Sequence, residues 1–137
     1  MAEHLAYLNG RYLPISQAAV PVYDTGFVLG VTVAEQMRTF GGQLFRLPEH
    51  LQRLARSLSI IGVEPKQSLA ELQLIAEDLV ARNHALLAPG DDLGLAIFVT
   101  PGPSASEPAG HRAKIARHRR GRQHNQRSGN PGFQSHH

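Results

Sequence analysis

Large apolar residues all but vanish from this chain after Thr100. Before it they recur with helical or strand spacing. In the closing stretch HRAKIARHRRGRQHNQRSGNPGFQSHH, residues 111–137, only Ile115 and Phe133 remain. A core must therefore come from the first hundred residues, enough for one domain and too few for two. The intervening PGPSASEPAG, residues 101–110, reads as a linker of Pro, Gly and Ser. The closing stretch has no period and cannot supply a core, so it is expected to be a disordered basic tail. Charge divides at the same place. Residues 1–110 hold 7 Lys and Arg against all 11 Asp and Glu, a net of −4, and the tail holds 7 basic residues and no acid, a net of +7. The overall +3 describes the tail rather than the body.

The first hundred residues carry their own punctuation. In AYLNGRYL, Asn9-Gly10 between apolar and aromatic flanks is a strong hairpin signal. Short apolar pieces on either side of DTG place a turn near Asp24–Gly26. VTVAEQMRTF begins with β-branched residues and fits a strand, and Gly41-Gly42 turns it into QLFRL. Pro48 suits the first position of a helix, where its missing N–H costs nothing. Leu51, Leu54, Ala55, Leu58 and Ile61 then recur at helical spacing, with Gly62 as the stop. A second helix opens on a capping box of Ser68 and Glu71 and carries the stripe Leu72, Ile75, Ala76 and Leu79 to about Asn83. LGLAIFVT is a continuous apolar run of strand length. Strands, two helices and a strand imply an α+β domain, an antiparallel-rich sheet with helices packed on one face.

Several classes of protein are disfavoured. Without cysteine there is neither a disulfide framework nor a thiolate metal site. GHRAK and RHRRGR form no metal or catalytic spacing, and no metal is expected. MAEHLAYLNG has no basic segment leading into an apolar one, and no apolar run approaches the length of a membrane span. A cytoplasmic protein is the expectation.

Within this frame YLNGRYLP, DTGFVLGVTVAEQMRTFGGQLFRL, EHLQRLARSLSIIG and LAIFVT, spread over most of residues 5–100, resemble the N-terminal domain of the fold-type IV pyridoxal-phosphate enzymes. These include branched-chain aminotransferases, D-amino-acid aminotransferases and aminodeoxychorismate lyase. The order of the pieces, with HLQRLARSL following a hairpin, is more specific than any one of them. The resemblance implies that Arg53, in the H-x-x-R-L segment, binds the phosphate of pyridoxal 5'-phosphate. A guanidinium suits that task because its planar fork matches phosphate oxygens. It also implies a homodimer for the complete protein, acting on an amino acid and a 2-oxo acid. Glu35 and Arg38 are candidates to face a substrate pocket, with a paired sheet surface as the alternative. His50 is expected to be a packed, hydrogen-bonded structural residue, and Gly26 and Gly30 to serve turns and close packing. The family often has a tyrosine just before the glutamate, where this chain has Ala34.

Transamination also needs a lysine that forms a Schiff base, which the family places roughly a hundred residues past the phosphate arginine in a second domain. Lys66 lies between the two helices and Lys114, 61 residues past Arg53, falls in the tail. Neither matches, so no catalytic residue is assigned and the chain is expected to be inactive alone. A lost reading frame or a wrong gene end is the simpler account of the tail. A basic arm that binds nucleic acid through phosphate neutralisation is the rival, although it lacks stacking aromatics. Lyase chemistry on the same scaffold is the other alternative function.

Overall fold

The computed structural model describes residues 2–103. The remainder of the linker, the basic tail and Lys114 lie outside the described residues. A hairpin of β1 (Leu5–Leu8) and β2 (Arg11–Pro14) comes first, followed by a short 3-10 turn at Ile15–Gln17 and a one-turn helix, α1 (Thr25–Val28). Next come β3 (Val33–Phe40), β4 (Gln43–Leu44), the helices α2 (Leu47–Ile61) and α3 (Leu69–His84), and β5 (Gly94–Val99).

Both hairpins form where paired positive-φ residues allow a two-residue turn. Asn9 and Gly10 have φ of 48° and 93°, and Gly41 and Gly42 have 58° and 78°. The first turn sets Tyr7 opposite Tyr12, their rings edge to face with centroids 5.1 Å apart. β3 is the centre of a three-stranded antiparallel sheet in the order β4-β3-β5, with Val33 opposite Val99 and Glu35 opposite Ile97. The expected α+β arrangement is present. Among the described residues, however, the strands form two sheets, because β1-β2 pairs only with itself. The hairpin is tied instead to α3, where the buried Asn83 side chain accepts from the Leu5 N–H at 2.7 Å and donates to the Leu5 carbonyl at 2.9 Å. Arg82 adds a cation–π contact, 4.5 Å above the Tyr12 ring.

The core lies between β3 and the helices. α2 buries Leu47, Leu51, Leu54 and Leu58, and these pack with Val33, Met37 and Ala76. Ile61, expected in that stripe, is exposed because it sits in the last turn just before the stop. Gly62 ends the helix at φ 72°, and the Val63 N–H reaches back to the Leu58 carbonyl in a Schellman arrangement. The α3 capping box is formed as its sequence predicts, with reciprocal bonds between Ser68 and Glu71. β4 is only two residues long, since Arg46 turns into the left-handed region at φ 54° and starts α2.

Candidate functional site

Strand alternation decides which side chains of β3 reach the helices. Val33, Glu35, Met37 and Thr39 point inward and are buried, while Ala34, Gln36, Arg38 and Phe40 lie on the opposite, open face. Glu35 is thus a carboxylate in a hydrophobic row, 3% exposed. A buried carboxylate is tolerated only when charge and hydrogen bonds meet it.

α2 supplies both. His50 and Arg53, three residues apart, share the helix face that overlies β3. Arg53 Nε donates to Glu35 Oε1 at 2.7 Å and Arg53 Nη2 to Oε2 at 2.6 Å, a bidentate fork. His50 Nδ1 lies 2.9 Å from Oε2. Because a carboxylate only accepts, Nδ1 must be the donor. It therefore cannot also accept from Arg53 Nη2, which is 3.4 Å away. The hydrogen bonds from Arg53, reinforced by that from His50, outweigh burial and hold the Glu35 carboxyl at about 2. The same contact raises the Arg53 guanidinium above its ordinary value.

The two partners differ in exposure. The Glu35 side chain is 4% exposed and that of Arg53 62%. Two of the five guanidinium protons go to Glu35. The two on Nη1 and the second on Nη2 have no acceptor among the described residues. One edge of the guanidinium is fixed and the other is open. The arrangement can receive an oxyanion from solvent without breaking the bonds that hold it.

Glu35 and Arg38, both candidates for a substrate pocket, do not share a face. Glu35 looks inward to Arg53, whereas Arg38 lies over the Phe40 ring at 4.7 Å on the open side, the side that also carries Ala34. His50 is the hydrogen-bonded residue its position suggested, with Glu35 as its partner. Asp24 accepts from the Gly26 N–H at 2.7 Å and from the Thr100 hydroxyl at 3.0 Å, pinning α1 to the end of β5. A Cβ on Gly26 would fall 2.3 Å from Thr100 Cγ2, so close packing accounts for that glycine. Lys66 lies in the connection between α2 and α3, lining a surface hollow with Tyr7 and Glu71. The partnership of Glu35 with Arg53 was not read from the sequence. Its signal was present, since position 35 falls on the same strand face as Val33 and Met37.

Comparison with known proteins agrees with this fold. Residues 32–130 match the family model for amino-transferase class IV. A D-alanine aminotransferase of Bacillus licheniformis is 38% identical over 94 residues, covering 69% of this chain and 31% of the relative. One from Staphylococcus aureus (strain N315) is 36% identical over 78 residues, covering 57% and 28%. The fold is shared with a hypothetical aminotransferase from Mycobacterium tuberculosis in its PLP-bound form, at 23% identity and a TM-score of 0.65 over 74% of this chain and 35% of that one. It is likewise shared with the branched-chain amino acid aminotransferase of Escherichia coli, at 24% identity and 0.64 over 77% and 36%. The chain spans less than a third of the length of these curated relatives. It belongs to the class IV amino-transferases, the fold-type IV pyridoxal-phosphate enzymes.

Proposed function

We propose that this domain forms the phosphate-binding wall of an aminotransferase that moves an amino group between a D-amino acid and a 2-oxo acid. The observation that carries the reading is Arg53, locked to Glu35 on one edge and open on the other. The open edge suits the phosphate of pyridoxal 5'-phosphate, whose carbonyl carbon and conjugated ring supply the amino-group chemistry when the cofactor is bound. The D-amino acid donor is favoured over a branched-chain one because the curated relatives matched in sequence are D-alanine aminotransferases. Arg38 and Gln36, on the open sheet face, are the groups this domain would offer to the substrate carboxylate. Lys66, in its surface hollow, has no such position, and turnover requires a lysine from chain beyond this domain.

A graft tests the proposal. Residues 2–103 replace the matching stretch of the Bacillus licheniformis relative, and transamination from D-alanine is measured. The graft should be active, and Arg53→Gln within it should weaken pyridoxal phosphate binding roughly ten- to hundredfold, the worth of a lost charge-assisted bond. A folded graft whose cofactor affinity ignores Arg53 would overturn the reading.

A further inference from the structure

Glu35 bears on Arg53 in two opposed ways. Its negative charge lowers the attraction of the site for an anion, and its fork removes the freedom of a long, solvent-exposed side chain before any ligand arrives. The Coulomb effect acts through an arginine side chain that is 62% exposed, so water screens it. The ordering effect is not screened. An arginine tethered through Nε and one proton of Nη2 can present only its Nη1–Nη2 edge, and no rotamer search remains for the ligand to oppose.

We propose that Glu35 is a positioning residue for Arg53, presetting the guanidinium as a receptor for a phosphate group. His50 completes the device by donating to Glu35 Oε2, which keeps the carboxylate ionised and turned toward the arginine. The inference rests on the assignment of Arg53 to a phosphate and deepens it. In this account a carboxylate strengthens anion binding, the reverse of what charge alone predicts.

The contrast makes the test sharp. The full chain, 15N-labelled, is titrated with inorganic phosphate while the backbone amide and Arg53 guanidinium resonances are followed by NMR. Glu35→Gln should weaken binding roughly three- to tenfold, the scale of freeing one long side chain. Glu35→Asp, which keeps the charge but shortens the reach, should weaken it as well. The Arg53 Nε–H signal should lose its protection from solvent exchange in both variants while the backbone amides stay dispersed. Binding that is unchanged or tighter in Glu35→Gln and unchanged in Glu35→Asp would overturn the positioning role and leave the Arg53 assignment standing. If Arg53→Gln itself leaves phosphate binding unaltered, the assignment falls and the inference falls with it. Should Glu35→Gln fail to fold, Glu35→Asp decides alone.

Discussion

The pair of Arg53 and Glu35 joins an exposed group to a buried one, and this inequality fixes how acid acts on it. The Glu35 carboxyl titrates near 4.5 in an ordinary setting and at about 2 here. Because the folded value is depressed, the stabilisation is fully present above the unfolded value and is lost as pH falls from about 4.5 toward 2. We expect Glu35→Gln to be less stable than the parent by about 1–2 kcal/mol at pH 7, discounted for screening through exposed Arg53. The difference should shrink steadily below pH 4.5, and urea unfolding at pH 7, 4 and 3 measures it. A gap independent of pH would contradict this view of the pair. At this scale the sequence was partly legible. The H-x-x-R-L segment carried Arg53 through family resemblance, but its partner lies 18 residues earlier in another element. Spacing along one helix cannot reveal a bond to a strand. The inward row of β3 was the remaining clue, and it shows that position 35 needs a cation without saying which one.

The elements were more legible than their packing, because caps and turns are local. Asn9-Gly10, Pro48, Gly62 and the Ser68 box all act within a few residues of themselves, and each sits where the structure uses it, although Pro48 is the second residue of α2 rather than the first. What locality could not show is that the first hairpin docks on α3 rather than joining the larger sheet. That depends on Asn83, which reads as an ordinary helix-end residue and instead holds Leu5 across 78 positions. Replacing Asn83 with Ala strands the Leu5 N–H and carbonyl and should cost about 1–3 kcal/mol. Amide exchange should accelerate at Leu5 and across β1-β2 while α2 stays protected. Equal acceleration in both elements would show that the hairpin and the sheet open as one unit. Leu54 is fully buried, and Leu54→Ala should cost about 2–5 kcal/mol through lost contacts and a cavity between α2 and β3. Thermal unfolding checks the second prediction, and a loss below 1 kcal/mol would mean the site collapses freely.

For the molecule as a whole, the sheet divides the work. One face carries the core and the Glu35–Arg53 contact. The other presents Ala34, Gln36, Arg38 and Phe40 from β3, with Phe98 64% exposed on β5 beside them. No described element covers that open face. The family's order of elements was readable because hairpin, strand, hairpin, helix is a sequential pattern. Arg53 is proposed to serve the phosphate end of the cofactor. Comparing pyridoxal phosphate with pyridoxal, which lacks the phosphate, as ligands for the full chain tests this, with the backbone amide signals of α2 followed by NMR alongside the Arg53 guanidinium. We predict saturable shifts at Arg53 with pyridoxal phosphate, little response with pyridoxal, and loss of the difference in Arg53→Gln. Equal binding of the two ligands, or a phosphate-dependent response that survives Arg53→Gln, would contradict the account.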